Sequence, residues 1–125
     1  MAGAFNETKG TELASDVGLA RSMWARFWGL MGRRSLPVHH GLLISPCSSV
    51  HTFFMRFPID AVWLDRDLRV VGVTHDIAPW RTVAQRGARA VLELPAGEAA
   101  ALGLETGESL FLRIPAAPVP AARAA

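Results

Sequence analysis

Cysteine is almost absent from this 125-residue chain, and so are the usual signals of export and membrane insertion. Cys47 has no second cysteine to pair with, so nothing in the chain requires an oxidising compartment. No segment approaches the roughly 18 uninterrupted apolar residues that a membrane span needs. The first ten residues lack the basic start and the apolar run of a secretory signal. These absences predict a cytoplasmic protein with no membrane partner.

A large excess of one charge is also missing. The 13 basic and 11 acidic residues give a formal net charge of +2. Nucleic-acid binding typically needs a concentrated basic stripe, so we expect no nucleic-acid partner. Half of the residues are hydrophobic, which is enough for one domain to bury a sizeable core. We expect this domain to be a monomer or a weak dimer.

Recognised metal-binding and catalytic motifs are lacking as well. The four histidines have no second ligand at a recognised metal spacing; they are His39, His40, His51 and His75. The sequence also has no paired cysteines, phosphate-cradling glycine loop, nucleophile elbow or metalloprotease helix motif. We therefore predict no metal and no cofactor.

The two ends of the chain differ in composition from its middle. Residues 1–15 are small and polar and show no sustained period, which predicts a flexible leader. Residues 115–125 are mainly proline and alanine with little bulk, which predicts a disordered tail. The remaining residues, 16–114, are predicted to form a single domain.

An amphipathic helix is predicted at the start of that domain. Asp16 is a suitable N-cap and Gly32 a suitable C-terminal stop. Apolar side chains recur between them at helical spacing: Ala20, Met23, Trp24, Phe27, Trp28 and Met31. We interpret this stripe as core packing, with a partner-binding face as the alternative. A short second helix is predicted over residues 98–102.

The rest of the domain has the pattern of short strands separated by turns. Strands are predicted over residues 41–45, 51–57, 59–65, 68–77, 88–94 and 109–114, and a looping excursion over residues 78–86. Many short strands beside one substantial helix favour a mainly β (α+β) fold. We expect a compact sandwich-like domain or a partly closed β-barrel, with the N-terminal amphipathic helix and the short second helix packed on it.

Residues 51–65 are the most apolar and aromatic-rich part of the chain, yet they include His51, Arg56 and Asp60. Pro58 divides the stretch into two strands, because proline cannot donate a hydrogen bond to a central ladder. A polar group on a buried face costs a few kcal/mol unless it is hydrogen-bonded. The three polar residues therefore either form a structural network or line an opening to solvent.

Each of the potentially reactive side chains has two interpretations. Cys47 and His51 are four residues apart and are candidates for a thiolate and imidazole pair, with a buried, inert cysteine as the alternative. Asp60 follows the proline corner, where a carboxylate either accepts backbone N–H groups or pairs with Arg56, and we favour this bracketing role. Glu93 is either a further functional carboxylate or a solvent-facing rung of an exposed sheet.

Several phrases of the sequence occur together in one known family. They are Gly29-Leu30-Met31, Gly41-Leu42-Leu43-Ile44, the run His-Thr-Phe-Phe-Met-Arg-Phe-Pro-Ile-Asp from residue 51, Pro79-Trp80, Val-Leu-Glu-Leu-Pro-Ala-Gly at 91–97, Gly103-Leu104 and Gly107-Glu108. In these phrases the chain resembles the DUF192 family, a prokaryotic domain of unknown function, over roughly residues 20–114. The resemblance implies a small, mainly β, sandwich-like domain with short helical pieces, and it implies no established reaction. Positions shared with the family are interpreted as fold determinants: Met55, Pro58, Asp60, Glu93 and Gly97.

Two functions from different classes remain open. The first is a non-enzymatic accessory module that binds a small polar ligand, a glycan or a protein partner, since aromatic residues here alternate with cationic ones. The aromatic residues in question are Trp63, Trp80 and Phe57. The ligand-binding candidates are His51, Arg56, Asp60, Trp80, Arg81 and Glu93. The alternative is a small hydrolase-like enzyme whose catalytic candidates are Asp60, His51 and Cys47. We favour binding, because the sequence holds no complete catalytic constellation.

Overall fold

A computed structural model describes residues 2–20, 36–53 and 55–114. Within these ranges the chain forms ten strands and one short helix. The elements in chain order are β1 (Gly3–Asn6), β2 (Thr11–Ala14), β3 (Asp16–Ala20), β4 (His40–Ile44), β5 (Ser49–His51), β6 (Ile59–Leu64), β7 (Val70–Ile77), β8 (Thr82–Ala84), β9 (Ala90–Pro95), α1 (Glu98–Ala101) and β10 (Leu110–Arg113). The prediction of a mainly β fold with a short helix near residue 98 is therefore confirmed.

A five-stranded sheet in the order β3-β4-β9-β6-β7 forms the middle of the molecule. Strands β3 and β4 pair in parallel, whereas the other neighbours pair antiparallel. In the centre of the sheet Val62 lies opposite Leu92 on one side and Val73 on the other. All six residues of β6 are buried, as are the first five of β9. Such strands are continuously apolar because both faces of the sheet are covered.

One face of this central sheet is covered by the three-stranded sheet β10-β1-β2 and by α1. The first core cluster fills the space between these layers with residues that include Ala4, Leu13, Val62, Leu92, Ala99 and Leu110. The opposite face is covered by the two-stranded ribbon of β5 and β8 and by the loops beside it. A second core cluster lies there and includes Val50, Met55, Phe57, Trp63, Ala88 and Val91. The result is an open, layered arrangement of sheets rather than a closed barrel.

The first 15 residues do not form the loose leader that their composition predicts. Strand β1 pairs with both β2 and β10, and Ala4, Leu13 and Ala14 are buried in the first cluster. Each strand has only four residues, so the alternation is too short to stand out in the sequence. The pairing of β1 with β10 joins segments that are far apart in the sequence, and a local sequence pattern does not indicate such a contact.

The predicted N-terminal helix is wrong at its start. Residues Asp16–Ala20 form β3, whose Val17 lies opposite Gly41 in the parallel pair with β4. The remainder of that predicted helix, from residue 21 to its expected end at Gly32, lies outside the described residues, as does the predicted tail at 115–125. Helix α1 has four residues, and no helix in the described ranges has the length and hydropathy that a membrane crossing requires.

The ribbon layer also differs from its prediction. Of the predicted strand over residues 51–57, the structure keeps only His51, at the end of β5, and the described residues that follow it up to Pro58 form loop. Met55 and Phe57 are nevertheless buried in the second cluster. Apolar content thus reflected burial here rather than strand formation. The predicted excursion over residues 78–86 contains β8, which pairs with β5.

A buried carboxylate fastens the N-terminal hairpin to the loop before β10. Glu108 accepts a hydrogen bond from the Glu105 amide at 2.6 Å and lies 3.2 Å from the Lys9 ammonium, which also donates to the Gly103 carbonyl. Burial alone would raise the pKa of Glu108. The hydrogen bond from the Glu105 amide, the nearby Asn6 side chain and the Lys9 charge together outweigh burial and lower that pKa below its usual value.

Candidate functional site

Asp60 lies beneath α1, on the face of the central sheet that carries the first core cluster. Its neighbours Ile59 and Ala61 belong to the second cluster, so alternation along β6 points Asp60 to the opposite face. One carboxylate oxygen accepts hydrogen bonds from the amides of Gly97 and Ala99 at 3.0 and 2.9 Å. The other accepts from the Asp76 amide at 2.8 Å.

These bonds agree with the prediction that Asp60 accepts backbone N–H groups, but the donors belong to β7 and the start of α1 and not to the proline corner. The carboxylate ties β6 to the first turn of α1 and to the end of β7. It is completely buried, whereas Arg56 is exposed on the loop between β5 and β6. Its hydrogen-bond donors among the described residues are therefore three backbone amides and not the guanidinium of Arg56. Complete burial also separates the carboxylate from solvent.

Glu93 is not the solvent-facing rung that the alternation of β9 suggests. It is completely buried, and in the sheet it lies opposite Ala61 of β6 and Leu42 of β4. Strand β9 is central, so both of its faces are covered. The sequence of one strand does not reveal that both of its faces are interior. Glu93 is thus on the face of the second cluster, and Asp60 is on the other face.

An exposed row of aromatic rings lies at the end of the ribbon. The Phe53 ring packs against His51, with centroids 4.9 Å apart, and stacks on Trp80 at 5.9 Å and 28°. Phe53 is 40% exposed and Trp80 is 55% exposed. We call His51, Phe53 and Trp80 the aromatic ledge. Large apolar side chains that remain in water at one place are typical of interaction sites.

A buried threonine holds the backbone of this ledge in place. Thr52 is completely buried; its hydroxyl donates to the Ala78 carbonyl at 2.7 Å and accepts from the Arg81 amide at 2.8 Å. The backbone amide of Thr52 donates to the Arg81 carbonyl, and its carbonyl accepts from the Trp80 amide. One residue thus fixes the loop before β8 through four hydrogen bonds.

The backbone of Trp80 is itself unusual. Its φ is 65°, in the left-handed region that residues other than glycine seldom occupy. Such a conformation costs on the order of 1 kcal/mol or more and persists only where the surroundings enforce it. Here the bonds from Thr52 enforce it, and the outcome is an indole held out toward solvent.

The other aromatic residues that the sequence offered for recognition are interior. Trp63 is completely buried, and its indole nitrogen donates to the Thr74 hydroxyl at 2.9 Å. Phe57 is buried in the second cluster. Of the predicted ligand-binding residues, the structure therefore brings together His51 and Trp80, with the exposed Arg81 next to Trp80 in the chain.

Cys47 lies in a different part of the ribbon layer. Its Sγ donates a hydrogen bond to the Ser49 carbonyl at 3.0 Å. An open depression of about 370 Å³ adjoins it and is lined by Pro46, Cys47, Ser48, Ser49, Ala88 and Arg89. Within the described ranges, no group of three or more His, Cys, Asp or Glu side chains is placed to hold a metal ion.

Two residues of the ledge were missed by sequence reasoning. Thr52 and Phe53 were placed in the predicted strand over residues 51–57, and neither was given a functional role. A signal was present, since Thr52 stands between His51 and two phenylalanines in an otherwise apolar run. A hydroxyl at such a position must find partners when it is buried. What the sequence does not disclose is that those partners lie almost thirty residues away.

Comparisons with known proteins agree in family and in fold. The model of the DUF192 family, described as Uncharacterized ACR, matches residues 4–112. A UPF0127 protein of Pyrococcus furiosus is 37% identical over 111 residues, which cover 84% of this chain and 93% of that protein. A UPF0127 protein of Thermococcus kodakarensis is 36% identical over 110 residues, covering 82% of this chain and 68% of the relative.

Two solved structures share the fold. One is a candidate transcription regulator from Sinorhizobium meliloti 1021, with a TM-score of 0.74 and 24% identity over 88% of this chain and 90% of that one. The other is a protein of unknown function from Novosphingobium aromaticivorans, with a TM-score of 0.73 and 23% identity over 88% of this chain and 82% of that one. At this level of identity the likeness concerns the fold alone.

Proposed function

This chain belongs to the DUF192 family, and we propose that it is a non-enzymatic binding module. The aromatic ledge of His51, Phe53 and Trp80 is its recognition surface. The module recognises a partner that packs an apolar group on Trp80.

The observation that carries this proposal is the exposed indole of Trp80 on a backbone that Thr52 holds in a left-handed conformation. Leaving an indole in water and straining its backbone both cost free energy, and neither is needed to fill a core. Tryptophan and arginine are enriched among the residues that dominate binding energies. A side chain that is fixed beforehand also loses less entropy when its partner arrives.

The hydrolytic alternative has weaker support. It requires Asp60 and His51 to act on one substrate, yet Asp60 is buried beneath α1 while His51 is in the ribbon on the other face of the sheet. The carboxylate oxygens of Asp60 already accept three backbone hydrogen bonds. A carboxylate in that position supports the fold and does not reach a substrate.

The test is a selection for ligands, with two matched variants. The wild-type chain, Trp80→Ala and Phe111→Ala are each exposed to a phage library of random dodecapeptides and to a glycan array. Phe111 is the control, because it is 53% exposed, nearly as much as Trp80, but lies on β10 in the opposite layer. We expect ligands that the wild type and Phe111→Ala retain and Trp80→Ala loses. If all three proteins retain the same set, the ledge is not a recognition surface.

A further inference from the structure

The layer that carries the ledge has charge of one sign only. This ribbon layer comprises the described residues of 45–58 and 78–89, which cover the second core cluster. All 11 acidic residues of the chain lie outside these two segments, which hold four arginines. The arginines are Arg56, Arg81, Arg86 and Arg89, and each is exposed. A chain that is nearly neutral as a whole thus has one distinctly cationic side.

We infer that the occupant of the aromatic ledge is an acidic polypeptide segment, one that places an apolar side chain on Trp80 and carboxylates against arginines of the ribbon layer, of which Arg81 is next to Trp80 in the chain. This inference rests on the proposed function and specifies the partner of the same surface. Guanidinium groups bind carboxylates with two parallel hydrogen bonds, and an exposed cationic layer also speeds the encounter with an acidic partner.

The geometry of the rings argues against a nucleic-acid strand as the occupant. Proteins that hold single strands stack successive bases on separate aromatic faces. In the ledge the rings pack on one another, since Phe53 contacts both His51 and Trp80. The ledge therefore does not offer the row of free faces that successive bases require.

The fixed backbone argues against a membrane surface. Aromatic side chains that anchor a protein among lipid headgroups need burial of apolar area and attraction to anionic lipid, and neither depends on an exact orientation. The four hydrogen bonds of Thr52, by contrast, hold the backbone of Trp80 and of its neighbours Ala78 and Arg81, and the φ of Trp80 lies in the left-handed region. Such a fixed position suits a partner of defined shape.

The experiment starts from the peptides that the library selection yields in a Trp80-dependent manner. We expect them to be enriched in Asp and Glu around an aromatic or aliphatic residue. The best of them, labelled with fluorescein, is titrated by anisotropy against the full chain and against Arg81→Glu and Arg66→Glu. Both variants change the net charge equally, but Arg66 lies in the turn between β6 and β7, outside the ribbon layer.

Arg81→Glu should weaken binding by about threefold to tenfold, since an exposed ion pair is lost and a repulsion replaces it. Arg66→Glu should change it by less than about twofold, because its charge is distant and screened. Exchanging the peptide's acidic residues for Asn and Gln should reduce binding at least as much as Arg81→Glu does. Equal weakening by the two variants would overturn the inference, because it would mean that only net charge matters.

Two further outcomes separate this inference from the proposal it rests on. If the Trp80-dependent peptides are not enriched in acidic residues, or if a dT20 oligonucleotide or phosphatidylserine-containing vesicles bind through Trp80 and acidic peptides do not, the inferred partner is wrong while the ledge remains a binding surface. If no peptide, glycan, oligonucleotide or vesicle depends on Trp80, both statements are wrong.

Discussion

Replacing Asp60 by alanine removes one carboxylate and leaves three backbone amides without their acceptor. The amides belong to Asp76, Gly97 and Ala99, and they lie 2.8 to 3.0 Å from the Asp60 oxygens. The Ala99 bond is buried, while the other two are partly buried. Because alanine is smaller, water is expected to enter and to solvate the Asp76 and Gly97 amides in part. The Ala99 amide in the first cluster has the least access to it.

The cost follows from these three environments. A buried donor left without a partner costs about 1–3 kcal/mol, and a donor that water reaches costs about 1 kcal/mol or less. We therefore expect Asp60→Ala to destabilise the protein by about 2–5 kcal/mol, and the upper end of this range is a large part of the stability of a domain this size. Asp60→Asn keeps one acceptor oxygen. If that oxygen faces Gly97 and Ala99, the side-chain NH2 of the asparagine faces the backbone N–H of Asp76, and two donors then oppose each other. One of the three hydrogen bonds is lost, which should lower the free energy of unfolding by about 1–2 kcal/mol.

Equilibrium unfolding in urea, followed by circular dichroism, measures these differences as shifts in the midpoint at constant slope. The matched control is Asp65→Ala. The Asp65 carboxylate also accepts two backbone amides, from Asp67 and Arg69, but in an exposed turn where water replaces it. Its loss should cost about 0.5–1.5 kcal/mol. Finding Asp60→Ala no more destabilising than Asp65→Ala would refute the idea that burial of the bracket sets its contribution.

Three other predictions concern separate parts of the fold. The pKa of Glu108 is lower in the folded protein than its unfolded value of 4.5, so the ionised carboxylate stabilises the fold above that pH and loses this effect as the pH falls through the folded pKa. The difference in unfolding free energy between wild type and Glu108→Gln should therefore shrink below about pH 4.5. A difference that stays constant with pH would contradict this prediction. Thr52→Val should lower the free energy of unfolding in urea by about 1–3 kcal/mol, because the hydrogen bonds of the buried hydroxyl are lost, whereas Thr52→Ser should lower it clearly less. Equal unfolding midpoints for wild type and Thr52→Val would show that these bonds do not stabilise the loop before β8. Iodoacetamide should alkylate Cys47 slowly at neutral pH, because the thiol donates to Ser49 and only the thiolate is reactive; fast alkylation that His51→Ala slows would favour an activated nucleophile.

Sequence reasoning succeeded where structure is decided locally. The runs around Ile59–Leu64, Val70–Ile77 and Ala90–Pro95 are long and β-branched or apolar, and each forms a strand of the central sheet. It failed where long-range contacts decide. Strand β1 pairs with the distant strand β10. Strand β3 pairs in parallel with β4, although the residues of β3 also fit the start of a helix. Propensity over four or five residues is too weak to outweigh such contacts.

The candidate site was predictable in part for the same reason. Its place after a proline corner correctly indicated that Asp60 accepts backbone amides, but the donors Asp76, Gly97 and Ala99 lie 16 to 39 residues away in the chain, and local reasoning could not identify them. The burial of Glu93 and Trp63 depends on how many layers cover the sheet, which the alternation of one strand does not report. The aromatic ledge depends on a pairing between residues near 51 and residues near 81, so its members stand far apart in the sequence.

The pairing of β1 with β10 also has a consequence for how the chain is made. Residues 3–6 leave the ribosome long before residues 110–113, yet they complete their sheet only when these later residues have emerged. Until then the N-terminal hairpin has an unpaired edge, and the first core cluster lacks Leu110. Strand pairings between segments that are distant in sequence form late, and apolar surface stays exposed until they form. We therefore expect nascent chains stalled before β10 to bind chaperones, and release of the last strand to complete folding in one step.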